Sequence, residues 1–153
     1  MKQKKNINSG FSFGLTSGII TTLGLLIGLS GTENKIIIIT GILTIAIADA
    51  FSDALGVHIS KESEKKTTKE IWSATLMTLA TKFIIACSFL IPILLFNLNT
   101  AIIISCIYGL IILSLFSYKI AKQRKEKPIH TILEHVGIAI LVIIITKLIS
   151  III

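Results

Sequence analysis

Apolar residues fall into five long stretches, and the polar positions collect between them. The stretches cover roughly residues 10–30, 35–59, 71–96, 99–118 and 131–152. A helix rising ~1.5 Å per residue needs about 20 residues to cross a ~30 Å hydrocarbon layer, and each stretch is close to that length. Uninterrupted apolar runs of this size predict membrane-spanning helices rather than strands or half-buried soluble helices. The connections, Gly31–Asn34, Ser60–Glu70, Asn97–Asn99 and Lys119–His130, are short, so consecutive helices are expected to lie antiparallel in one domain over 1–153. The fold class expected is an all-α integral membrane protein with five transmembrane helices. Pro92 lies inside the third stretch, where packed neighbouring helices can tolerate it.

Composition and charge sharpen this. The chain is 53% hydrophobic, with a mean hydropathy of +0.89 and a net charge of +7. Twelve of its 15 basic residues lie before the first stretch (Lys2, Lys4, Lys5), between the second and third (Lys61, Lys65, Lys66, Lys69), or between the fourth and fifth (Lys119, Lys122, Arg124, Lys125, Lys127). With five spans, all three segments fall on one side of the bilayer. The positive-inside rule then makes that side cytoplasmic, with the N-terminus inside and the C-terminus outside, and the cell membrane is the expected location. Orientation accounts for the charge. No aromatic residues interleave with the basic segments, so no nucleic-acid partner is expected. The basic start has no A-x-A site after its long apolar stretch, so it reads as a retained span rather than a cleaved signal. Cys87 and Cys106 fall inside spans and read as small hydrophobes; no C-x-x-C or zinc-finger spacing is present.

The chemistry lies in the second span. Asp49 and Asp53 sit in IIIITGILTIAIADAFSDALGVHI, and a carboxylate at bilayer depth costs roughly 2.5–3.5 kcal/mol on insertion scales. Such acids face a bundle interior or a wet cavity, and mark ion pathways or proton relays. On an ideal helix with Asp49 at zero, Asp53 falls at about +40°, Gly56 at −20°, Ser60 at +20° and Glu64 at +60°. This stripe runs from mid-membrane to the cytoplasmic mouth, where Glu62 also lies. Oxygen ligands at i, i+4 can share a hard or borderline divalent cation, so Asp53, Asp49, Glu64 and Glu62 form the candidate metal set. Ser60, Ser52, Thr16 and Lys82 are the candidate ion-pathway residues. Lys82 also offers a structural alternative. Equal counting from the middle of the Ser60–Glu70 loop brings it level with Asp49, and an Asp49–Lys82 ion pair would leave Asp53 free. His58 points away from Asp49 and reads as interfacial. His130 and Glu134, spaced i, i+4, read as a solvated helix start. The first span carries Gly10, Gly14, Ser17, Gly18, Thr21, Gly24 and Gly28 on one face, with small-x-x-x-small spacing that predicts close helix contact within the subunit or across a dimer.

These residues resemble the vacuolar iron transporter family of five-helix membrane proteins. Gly14-Leu15-Thr16 and Gly28-Leu29-Ser30-Gly31 are similar to the family's D-G-L-T and A-G-L-S-G. Phe51-Ser52-Asp53-Ala54-Leu55-Gly56-Val57-His58-Ile59-Ser60-Lys61-Glu62-Ser63 is similar to L-S-M-A-A-G-E-Y-V-S-V-R-S. Ser88-Phe89 and Pro92 resemble the family's third-span S-F followed by prolines. The resemblance implies a homodimeric, proton-coupled transporter moving Fe²⁺ or Mn²⁺ out of the cytoplasm as substrate, with no resident cofactor. The chain departs from the pattern at several points. Phe13 stands at the family's first-helix acid, Asp53 at its second-helix methionine, and Asp49 at a usually small residue. The Glu-rich cytoplasmic insert is reduced to Ser60–Glu70, with Glu62, Glu64 and Glu70.

Two other classes compete with transport. An intramembrane aspartyl protease places its two acids on separate elements, whereas both lie here on one helix. A D-x-x-x-D lipid phosphotransferase would have an upstream D-x-x-D-G, which is absent, and Arg124 is the only arginine. No enzyme is expected. The remaining alternative is a non-transporting assembly or accessory protein whose Asp–Lys pair only fixes helix register.

Overall fold

Five spanning helices form, one of them in two pieces. The computed structural model describes the backbone of residues 2–152 and the side chains of residues 9–152. The side chains of Lys2, Lys4 and Lys5, part of the charge asymmetry, lie outside the described residues. Helix α1 (Lys2–Gly28) runs into a 3-10 turn at Leu29–Thr32. It is followed by α2 (Lys35–Ser63), α3 (Thr68–Ser88), α4 (Leu90–Leu95), α5 (Leu98–Arg124) and α6 (Pro128–Ile152). The segments long and apolar enough to cross a membrane are Ser9–Thr32, Lys35–Ser63, Thr68–Leu95, Leu98–Arg124 and Pro128–Ile152.

Local sequence sets the ends. Asn34 caps α2, its side chain accepting from the Ile36 and Ile37 N–H groups. Thr67 and Glu70 form a reciprocal capping box at the start of α3, so Glu70 serves the helix end. Asn97 caps α5 through the Thr100 N–H. Lys125, at φ 59°, ends that helix in the left-handed conformation. Pro128 opens α6 at the one helical position whose missing N–H costs nothing. The third span breaks between Ser88 and Leu90. Pro92 cannot donate to the Ser88 carbonyl and its ring crowds it, so the helix restarts one turn earlier.

Side-chain contacts give the directions. Gly10, Gly14 and Gly18 face Ala74, Thr78 and Ile85 in turn, so α1 and α3 run parallel. Gly24 and Gly31 face Val142 and Ser150, so α6 runs with them. Asp53 meets Lys82 and Gly109 meets Leu23, so α2 and α5 run the other way. One end of the bundle therefore carries the basic α2–α3 and α5–α6 connections. The other end carries Gly31, Lys35 and Phe96, with Lys35 Nζ donating to the Leu94 and Phe96 carbonyls that end α4.

The bulk of the outer surface is apolar: Ile47, Phe51, Leu55, Ile84, Ile103, Leu115 and Leu141 are exposed. The interior holds Ile19, Leu23, Leu26, Ile38, Ile42, Phe89, Ile93 and Leu113, all fully buried. With lipid outside there is little hydrophobic drive between helices, so close packing must hold them together. The small-residue face of α1 supplies it, inside the subunit and against α3. A Cβ on Gly14 would lie 2.7 Å from the Thr78 carbonyl oxygen, and one on Gly10 would collide with the Ala74 carbonyl. These obstacles are backbone, which cannot step aside. By contrast, a Cβ on Gly56 of α2 would meet nothing within 4 Å.

The two positions predict opposite outcomes in a detergent thermal melt. Gly14→Ala should destabilise by about 1–3 kcal/mol through overpacking. Gly56→Ala should be neutral or stabilise by up to about 1 kcal/mol through helix propensity. Equal melting of Gly14→Ala and the parent chain would remove the α1–α3 seam as the tightest contact.

Candidate ion site

Asp49 is the middle residue of α2 and Asp53 lies one turn nearer the basic end. Their helix buries Ile38, Ile42, Ala46, Ala50 and Ala54 at four-residue spacing. The alanines let α3 approach closely, and the two aspartates lie beside that stripe, facing Lys82. Lys82 is 1% exposed, whereas the Asp49 and Asp53 side chains are 32% and 20% exposed. The ammonium therefore lies on the inner side of the acids.

Lys82 Nζ contacts Asp49 Oδ2 at 2.6 Å and also pairs closely with Asp53 Oδ2. The expectation that an Asp49–Lys82 pair leaves Asp53 free is corrected here. Carboxylates one helical turn apart are both within reach of one ammonium on a four-carbon stem. Ser17 of α1 completes the cluster. Its hydroxyl donates to Asp53 Oδ2 at 2.6 Å and accepts from Lys82 Nζ at 2.9 Å. Three helices thus meet on one ion cluster with a formal charge of −1. Each carboxylate is engaged through Oδ2, and among the described residues no hydrogen bond or ion pair reaches either Oδ1.

A groove of about 540 Å³ leads to this cluster from the basic end. Its walls are Ser9 and Phe13 of α1 and Ser52, Asp53, Gly56, Val57, Ser60 and Lys61 of α2. Two of the expected pathway hydroxyls, Ser52 and Ser60, therefore border the groove. Thr16 does not join it: its hydroxyl donates to the Ser12 carbonyl of its own helix at 2.9 Å.

The acids at the end of α2 have separate partners. Glu62 approaches His58 Nε2 at 3.7 Å, and Glu64 binds Lys61 at 2.8 Å and Lys66 at 3.7 Å. The hydrogen bond from Lys61, with the nearby Lys66 charge, holds the Glu64 carboxyl below the usual carboxylate range. That preference lies above the carboxyl's ordinary pKa and fades as pH falls through its lowered value. Among the described residues no three His, Cys, Asp or Glu side chains come together as a metal-holding group. His58 turns toward α3, with Nδ1 3.1 Å from the Thr75 hydroxyl and its ring edge-on to Trp72. His130 and Glu134 are exposed at the start of α6.

Sequence reading missed Ser17 as a member of the cluster. The only signal was its place on the small-residue face of α1. The α2–α3 hairpin fixes the level of Lys82 against Asp49, and the short Gly31–Asn34 connection brings Ser17 to nearly the same level, but neither count says which side chains face one another.

Residues 10–71 match the model of the VIT family, the vacuolar iron transporters. Over this stretch, about two fifths of the chain, the sequence is similar to that family. The match takes in Ser17, Asp49, Asp53, Glu62 and Glu64, and ends before Lys82. No curated protein and no solved structure matches the chain. The five long apolar helices point to a multi-pass integral membrane protein, and residues 10–71 are similar to a family of membrane transporters.

The shared ammonium predicts strongly non-additive mutants. Asp49→Asn or Asp53→Asn alone leaves Lys82 one carboxylate and should cost about 1–2 kcal/mol. The double change strands a buried cation and should cost about 3–5 kcal/mol, recovered by adding Lys82→Met. Additive single and double changes in the melt would show that the two acids do not share one partner.

Proposed function

We propose that this chain exports divalent metal ions, Fe²⁺ or Mn²⁺, from the cytoplasm in exchange for protons. The observation that carries this reading is a pair of carboxylates at mid-membrane, on residues matching a metal-transporter family, at the head of a groove open to one end. In this reading the basic end is cytoplasmic. Metal enters past Glu62, whose partner is His58, and Glu64, which Lys61 and Lys66 already hold. Ser60 and Ser52 line the way in, Asp53 is the first intramembrane ligand and Asp49 the second. Aspartate in place of the family's methionine hardens the ligand set, which suits oxygen-preferring Mn²⁺ and Fe²⁺.

One helix supplies too few oxygens for a six-coordinate ion. The exposed small and polar edge of α2, including Ser52, Gly56 and Ser60, would be poorly matched to lipid. Both considerations support a homodimer in which two such edges face each other and up to four carboxylates converge. A second reading has support of its own. Lys82 already satisfies both acids, as it would in a non-transporting accessory protein whose ion cluster only fixes helix register.

Mn²⁺ uptake into proteoliposomes separates the two readings. Wild type should transport, and Asp53→Asn should lose at least about tenfold of the rate, equivalent to ~1.4 kcal/mol or more, while remaining folded. Transport by Asp53→Asn at the wild-type rate would refute the site. No transport, with no metal-dependent rise in the wild-type melting temperature, would favour the accessory protein. Orientation has its own check. With Cys87 and Cys106 replaced by alanine, a cysteine at Lys66 should be labelled only from the cytoplasm and one at Glu33 only from outside. The reverse pattern would overturn export.

A further inference from the structure

We infer that Lys82 is a tethered competitor cation that sets the charge an incoming ion must carry. It holds the two carboxylates until a divalent ion replaces it, and it excludes monovalent ions. The inference rests on the proposal that Asp49 and Asp53 bind a transported cation.

Its basis is the one-sidedness of the cluster. Lys82 is buried on the inner face, while both aspartates keep an exposed side and Asp53 borders the groove. A cluster serving only to fix register has no reason to leave Asp53 open to a 540 Å³ groove. Both acids also spend only Oδ2 on the ammonium. An ion arriving through the groove therefore meets free carboxylate oxygens with a fixed positive charge behind them.

Charge decides what can stay. The two carboxylates and one ammonium sum to −1. A monovalent ion that replaced Lys82 would leave that sum unchanged. It would also give up its own hydration and displace a partner that is covalently attached and always at hand. A divalent ion in the same place feels twice the attraction and neutralises both acids. Lys82 thus lowers affinity for every cation but costs a monovalent ion its whole advantage. Potassium and sodium far outnumber transition metals in most aqueous compartments, so this discrimination has a use. Ser17 holds the ammonium in register by accepting from it while donating to Asp53.

The test compares ion-dependent melting and Mn²⁺ affinity of the full chain in detergent for wild type, Lys82→Gln and Lys82→Arg. Lys82→Gln should melt lower without ions and bind Mn²⁺ at least about tenfold more tightly. It should also gain stabilisation by Na⁺ or K⁺ that wild type lacks. Lys82→Arg keeps the charge and should retain the wild-type preference. If Lys82→Gln does not fold without ions, Lys82→Gln with Asp49→Asn keeps the −1 charge with no tethered cation and should respond to Na⁺. Unchanged or weaker Mn²⁺ affinity in Lys82→Gln, with wild type binding normally, would overturn the inference and leave the transport reading intact. Tight binding by Lys82→Gln beside no binding at any concentration by wild type would make Lys82 a permanent lock that no ion replaces, and would overturn both the inference and transport. Absence of binding in every variant would overturn both.

Discussion

The bundle is organised around one buried ammonium. Lys82 lies 1% exposed in the middle of a membrane span, and a lysine there is tolerated only with anionic partners. Asp49 and Asp53 provide them, and in turn the aspartates need Lys82. The three charges fix the register of α2 against α3 to within one turn, since sliding by a full turn would take one carboxylate out of reach. Through Ser17 the same cluster ties in α1. Removing Lys82 leaves two like charges uncompensated, and removing both aspartates strands the ammonium, in a medium that cannot solvate them, so the cluster constrains the fold before it serves any function.

That constraint explains the distribution of small residues. Short hydrogen bonds from α1 to α2 and α3 require helix axes to come close, and Gly10, Gly14 and Gly18 allow it by presenting bare backbone to Ala74, Thr78 and Ile85. On α2, Ala46, Ala50 and Ala54 do the same. The ion cluster and the small-residue seams form one device: the charges set the level and the glycines and alanines set the distance. In water a hydrophobic core would supply the adhesion. Here the core is a thin column of Ile, Leu and Phe, and most apolar bulk faces outward.

Much of this is legible in the chain. Five apolar stretches of spanning length give five spanning helices, because in lipid every backbone group must bond within its own helix. The level of Lys82 with Asp49 follows from counting along a tight hairpin, where each residue of one helix advances the same distance as its partner. What counting could not supply is lateral position. It placed Asp53 outside the lysine's reach, although a flexible side chain spans a full helical turn. It left Ser17 among packing residues, because counting from the short Gly31–Asn34 connection gives its level beside Asp49 but not whether its hydroxyl faces the acids or the glycine seam. By angle Glu64 lay on the carboxylate stripe and Glu62 off it at the same mouth, yet the nearest opposite charges at the helix end, Lys61 and Lys66, claim Glu64, and His58 claims Glu62.

The two ends of the α1–α2 face are built differently, which gives the site its polarity. Toward the basic end the groove is bordered by Ser9, Ser52, Ser60 and Lys61, and reaches Asp53. Toward the opposite end a second depression of about 390 Å³ is walled by Leu25, Leu29, Ile36, Ile37 and Ile45, with Thr40 and Thr44 its side-chain hydroxyls. In the wall of this depression a Cβ on Gly41 would already touch Leu25 and Leu29, so the leucine side chains of α1 pack closely on α2 there. For the cation site proposed above, this would place polar walls on the basic side of Asp53 and apolar walls on the other. A transporter needs such a barrier on one side of its site at every moment, since a path wet at both ends would dissipate the gradient it works against. Under that proposal an ion moving onward would need α1 and α2 to part beside Gly41, where the contact is made by leucine side chains rather than backbone and can open without breaking a hydrogen bond.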